Sequence, residues 1–140
     1  MGALLESMTS RRIHTDLISL MLTHLPVDLT LVDENDRLAY YSQGKERIFP
    51  RSPGIIGREV QRCDPPEGVD VVNKILDEFK AGKKDTAEFW IQVEGKFVHI
   101  RYLALRSPDG SYTGCLEVSQ DITEIRQLVG ERRLLMDWEH

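Results

Sequence analysis

The chain has 140 residues, 41% hydrophobic and 29% charged, with a formal charge of −5 at pH 7. That size and balance fit one domain around a single core, burying roughly two-thirds of the surface an extended chain exposes, and exclude disorder away from the ends, because disordered chains hold too little apolar surface to offset their ordering entropy. The acidic balance excludes a sequence-independent grip on nucleic acid, which needs a basic face. No apolar run approaches the roughly 20 residues that span a bilayer, and the N-terminus lacks the basic-then-apolar order of a secretion signal.

From Leu4 to Leu25 the apolar residues recur mostly at three- and four-residue spacings, which predicts an amphipathic helix over 1–25, closed by Pro26. Next, VDLTLVDENDRLAYYSQG reads as two strands joined by Glu34-Asn35-Asp36, where Asn and Asp can bond their own backbone. Residues 43–65 hold Gly44, Pro50, Pro53, Gly54, Gly57 and Pro65, so only short helical turns are expected there. The stretch EGVDVVNKILDEFKAGK places Val69, Val72, Ile75, Leu76 and Phe79 on one helical face, with Gly82 just past its end.

Three strand-like runs follow, over 86–93, 97–105 and 112–120, separated by the hairpin signals Glu94-Gly95 and Ser107-Pro-Asp-Gly110. From Ile122 the residues Ile125, Leu128, Arg132 and Leu135 alternate three and four apart, predicting a C-terminal helix over 122–140. Runs of strands joined by hairpins favour an α+β fold with an antiparallel sheet of five strands.

Cys63 and Cys115 stand far apart without a CxxC partner, so neither a zinc knuckle nor a disulfide framework is expected, and a reducing cytoplasm fits best. His14, His24, His99 and His140 are scattered, and no pair shares a helix face at metal-ligand spacing. Ser42, Ser52 and Ser119 lack a glycine elbow or a neighbouring His to activate them. No metal site and no enzymatic activity are expected.

The element order, ending in Gly114-x6-Asp121-Ile122-Thr123-Glu124, resembles a PAS domain over residues 26–125. The turn VDENDR, the segment RSPGIIGREVQRCDPPEGV and the terminal SQDITEIR carry the likeness. More narrowly, LPVDLTLVDENDRLAYYSQGKERIFPRSP and EFWIQVEGKFVHIRYLALR resemble the PAS domains attached to hemerythrin-like proteins. That subfamily's middle Cys-His-Pro-Pro motif and following His are replaced here by Asp64 and Asp70, which leaves Cys63 without the partners of a Cys and His cluster.

The resemblance implies a PAS core over 26–121, with the long helix on one face of the sheet and a cavity between them. Its implied lining is Tyr40, Cys63, Val72, Ile75, Trp90, Ile100, Tyr102, Cys115, Glu117 and Ser119. Alternation reads the last strand the other way, since Leu116 and Val118 are its apolar pair; the register of the resemblance is preferred. A Glu117 held inside needs a partner such as Arg101, Tyr102 or a ligand.

The resemblance further implies that the final strand runs into an output helix, with Asp121 or Thr123 capping it and relaying the signal. Haem or flavin is compatible with the family, yet no specific motif favours either: the long helix has no His, and QRCDPP is not a photoreactive flavin motif. The expected function is a cytoplasmic sensory and dimerisation module, pairing through its terminal helices and sheet face and acting on an effector. A dimerisation adaptor with a packed cavity and a haem- or flavin-binding redox protein are the alternatives.

Overall fold

In the computed structural model, which describes residues 14–44, 47–63 and 68–134, the chain begins with helix α1 (Thr15–His24) and the strands β1 (Asp28–Asp33) and β2 (Leu38–Tyr41). Single 3-10 turns at Pro53–Ile55 and Val60–Arg62 occupy the segment rich in Gly and Pro, before helix α2 (Val69–Lys80). Strands β3 (Thr86–Val93), β4 (Lys96–Arg106) and β5 (Tyr112–Asp121) complete one antiparallel sheet in the order β2-β1-β5-β4-β3. Five strands and their antiparallel pairing are as the sequence predicts.

Local chemistry fixes the hairpins. The Asp33 carboxylate accepts the amides of Asn35 and Arg37, each at 2.9 Å, and Asp36 takes a φ of 63°. Between β3 and β4, Glu94 and Gly95 both have positive φ, 49° and 78°, which is the turn whose twist suits a two-residue hairpin. Gly114 serves a different end: a Cβ there would lie 2.5 Å from the carbonyl oxygen of Val32, so only glycine lets β1 approach β5 this closely.

The pairing register sorts side chains between two faces. Val32, Cys115 and Ala104 lie in one row, and Thr30, Glu117, Tyr102 and Ala87 in the next, all on the inner face. Leu31, Leu116 and Leu103 form a row on the outer face. Helix α2 buries Val72, Ile75, Leu76 and Phe79 against Val32, Val60 and Cys115 of the inner side. Each such side chain contributes about 1.5–3 kcal/mol when fully removed from water.

The flanking helices depart from expectation. Of the helix predicted over 1–25, the described part is Thr15–His24, with no buried residue; residues 1–13 lie outside the described residues. Over the first part of the helix predicted over 122–140 there is only a 3-10 turn at Ile125–Gln127, after which Leu128 turns extended, residues 128–133 are not helical and Leu134 is. Residues 135–140 lie outside the described residues. The seam residues Ile125 and Leu128 stay 52% and 77% exposed. Without a surface to bury, so short a helix does not recover its nucleation cost, and Gly130, at a φ of 66°, breaks it further.

Candidate functional site

Helix α2 meets the sheet mainly at β5. Over β4 and β3 its first turns leave a cavity of about 590 Å³. The helix supplies Val71, Val72 and Ile75 to the wall, the sheet supplies Phe89, Ile91, Ile100, Tyr102 and Glu117, and the loop segment before the helix supplies Phe49, Pro50, Arg51 and Cys63. Phe89 and Tyr102 meet edge to face, with ring centroids 6.1 Å apart and planes at 78°.

Six of the residues singled out in the sequence therefore share this wall: Cys63, Val72, Ile75, Ile100, Tyr102 and Glu117. Cys115 and Ser119 are buried on the same sheet face but beside the cavity, Cys115 in the packed core under α2 and Ser119 in the row of Asp28. Tyr40 and Trp90 are corrections. Tyr40 pairs with Leu31 and Trp90 with His99, which puts both on the outer face, where Trp90 is 61% exposed. Strand alternation leaves no choice: with Phe89 and Ile91 inward, Trp90 must point out.

Glu117 faces inward, as the resemblance implies and plain alternation does not. Its partner is Arg51, at 3.8 Å, with the two side chains only 7% and 13% exposed in the order Arg51, Glu117. Arg101, the partner considered from sequence, pairs with Val118 on the outer face. A second arginine braces the loop: Arg47 donates to the carbonyls of Phe49 (3.0 Å) and Ser42 and lies 5.5 Å over the Tyr41 ring. Burial lowers the Arg47 pKa, and Asp28 opposes that shift. Asp28 in turn accepts the Ile48 amide at 2.6 Å.

Neither arginine is visible as a site residue from periodicity, because both sit in the irregular segment. The one sequence signal was indirect: an acidic residue at an inward position of a strand demands a cation from outside the sheet.

The cysteines have separate environments. Burial pushes the Cys115 thiol up to about 12, with Glu117 adding to the shift, so it stays protonated and unreactive. The Cys63 sulfur lies 3.6 Å from the Glu59 carbonyl oxygen. Among the described residues no group of His, Cys, Asp and Glu is placed to hold a metal ion, and no histidine lines the cavity. The described lining thus offers a haem iron no imidazole, and Cys63 is its one sulfur.

At the far end of β5 the chain is latched rather than launched into a long helix. The Asp121 carboxylate accepts the Thr123 amide at 3.0 Å and the Thr123 hydroxyl. The same Thr123 oxygen accepts the Phe97 amide at 2.8 Å, and the Ile122 amide donates to the Phe97 carbonyl at 2.8 Å. The Arg126 guanidinium covers the Phe97 ring at 3.8 Å. The Thr123 hydrogen bonds hold the Asp121 carboxyl below its ordinary pKa. Asp121 and Thr123 thus fasten the tail to the start of β4 instead of capping a continuous helix. No helix among the described residues is long and apolar enough to cross a membrane.

Residues 18–123 match the model of the PAS domain family. The structure is similar to the crystal structure of the C-terminal domain of a Streptococcus mutans protein, at 32% identity and a TM-score of 0.80 over 88% of this chain and 96% of that one. It is also similar to the PAS domain of BvgS from Bordetella pertussis, at 14% identity and a TM-score of 0.59 over 81% and 89% of the two chains. A sensory box sensor histidine kinase from Vibrio cholerae aligns at 15% identity and a TM-score of 0.56 over 87% and 96%. These last two likenesses show the fold alone. The chain matches no curated protein sequence. With a family match that takes in β1 to β5 and a relative 32% identical over nearly its whole length, the chain belongs to the PAS domain family.

Proposed function

We propose that this chain is a sensory module that takes a small molecule into the cavity under α2 and passes its bound state to the segment after β5. The observation that carries the reading is that one strand serves both places. Glu117 of β5 stands in the cavity wall, and Asp121, four residues on, holds the latch on Phe97. A ligand that shifts Glu117 strains a strand whose last residue fastens the tail, so the occupied and empty states favour different tail positions.

The module works in the cytoplasm, without catalysis of its own, and instructs a separate effector. The narrower resemblance to PAS domains attached to hemerythrin-like proteins supports an effector of that kind. Homodimerisation uses α1 and the outer sheet face. Leu17, Leu20 and Met21 are exposed on α1, and Leu31, Leu103, Leu116 and Val118 are only half-buried on the sheet, which together leave apolar surface for a second copy.

Mass spectrometry of protein purified from cells tests the ligand reading. A native mass exceeding the denatured mass by one small molecule, lost when Ile75→Trp fills the cavity, is the expected result. Equal native and denatured masses, together with cavity methyl resonances that do not move when a metabolite extract is added, would sink it.

A further inference from the structure

The two margins of the sheet are built differently. At the β2 margin the Leu38 amide donates to the Arg58 carbonyl at 2.9 Å, the Gly57 amide donates to the Leu38 carbonyl at 2.7 Å, and Arg37 bridges Glu59, so the loop after β2 covers that edge. At the other margin β3 pairs, among the described residues, with β4 alone. Its far side presents backbone N–H and C=O groups to which another strand can bond.

The usual guards of an open edge are missing from β3. TAEFWIQV holds no Pro and no Lys, and it pairs with β4 at all eight positions without a bulge. Its one charged residue, Glu88, lies on the outer face and bonds His99 at 2.6 Å. The inner row Ala87, Phe89, Ile91 and Val93 is apolar throughout. On β4, Ile100 and Val98 are buried, yet their β3 neighbours Phe89 and Ile91 remain 38% and 40% exposed. The apolar face therefore ends in the open, beside an edge able to take another strand.

Pleat and charge together decide what suits that edge. Opposed residues on antiparallel strands share a face, so a strand that continues this sheet needs apolar residues at alternate positions and no acid against Glu88. The sequence of β3 meets both needs itself. With Trp90 of one copy opposite Trp90 of another, Phe89 lies opposite Ile91, Ala87 opposite Val93, and Glu88 opposite the neutral Gln92. The neighbouring registers are worse: centring the pair on Glu88 opposes two carboxylates, on Phe89 sets Asp85 against Val93, and on Ile91 sets Glu88 against Glu94.

We infer that β3 pairs antiparallel with β3 of a second copy, Trp90 opposite Trp90, joining two five-stranded sheets into one continuous sheet with both cavities on the same side. This contact is separate from the one proposed for α1 and the leucine row of the outer face, so either can fail alone.

Amide hydrogen exchange on the unaltered protein, followed from about 10 µM to about 1 mM, tests it. The β3 amides should exchange about threefold or more slower at the high end, while the amide of exposed Asp109 should not change. In a Cys63→Ser background oxidised with diamide, Trp90→Cys should give a disulfide-linked dimer about tenfold faster than Glu88→Cys or Gln92→Cys. In this register the like positions of those two variants stand about 14 Å apart, beyond disulfide reach. If Trp90→Cys does not fold, the exchange series decides. Equal rates at the three positions, or a faster rate at Glu88→Cys or Gln92→Cys, overturn the pairing. So does β3 exchange that is fast at every concentration, or slow already at the lowest, the latter because a segment of the same chain then covers the edge.

Discussion

Replacing Thr123 by Val preserves the side-chain shape and removes the oxygen that joins the tail to β4. The Phe97 amide then loses the acceptor it holds at 2.8 Å, and a neutral, part-buried bond of this kind contributes about 1 kcal/mol. The neighbouring bond from the Ile122 amide to the Phe97 carbonyl remains. The substitution should therefore raise the detached population of the tail roughly fivefold without loosening the sheet. Amide hydrogen exchange reads this directly: Ile122 and Arg126, whose amides bond Phe97 and Ile122, should exchange faster by about that factor, while Val118 in mid-strand should not change. Thr123→Ser, which keeps the oxygen, should behave like the parent.

The Asp121 carboxyl supplies a second readout. Its folded pKa lies below the ordinary carboxylate value because it accepts from Thr123, so the stabilisation it gives is complete above the unfolded value and is lost as pH falls through the lower folded one. Thr123→Val should move its midpoint back toward 3.8, as followed by carboxyl NMR. Unchanged Ile122 exchange with an unmoved midpoint would refute the latch. Acceleration spread evenly over β5 would also refute it, by making Thr123 a support of the whole sheet.

Gly114→Ala sets a methyl group against the Val32 carbonyl and should lower stability by about 1–3 kcal/mol, seen as a fall in the urea midpoint at constant slope. Ser42→Ala deprives the buried Leu29 amide of the hydroxyl it bonds at 2.9 Å, and should cost about 1–3 kcal/mol in the same assay. A thiol reagent at pH 8 should titrate the half-buried Cys63 first, and Cys115, 2% exposed and pushed up to about 12, only at the rate of unfolding. Deleting residues 1–24 should shift sedimentation toward the monomer, and an unaltered profile would remove α1 from the dimer interface.

The strands and α2 were legible because their periodicities are dictated by burial on one side. The stripe Val72, Ile75, Leu76 and Phe79 has only one face that can hold it. The tail was not legible, since Ile125 and Leu128 repeat at helical spacing but find no partner surface among the described residues. Within the site, Glu117 came from a family likeness that overrode the apolar pattern of Leu116 and Val118. That pattern misleads because the outer face carries an apolar row of its own, Leu31, Leu103 and Leu116, so apolar residues on β5 do not mark the inner side. Tyr40 and Trp90 were misplaced by chemistry chosen ahead of register: an aromatic ring attracts a ligand only if its strand turns it inward. Arg47 and Arg51 escaped because no period governs an irregular segment, and only the folded chain shows which strand lies beneath it.

The first and the last strand of the chain, β1 and β5, are neighbours in the sheet. Asp28 stands opposite Ser119 across them, so the polypeptide comes into the fold and leaves it at neighbouring points. A domain with its ports side by side can be inserted into a host protein without spreading the host's own segments apart. Any sliding of β1 along β5 would also displace the incoming and outgoing segments against each other, so a host built on either flank would receive the same movement.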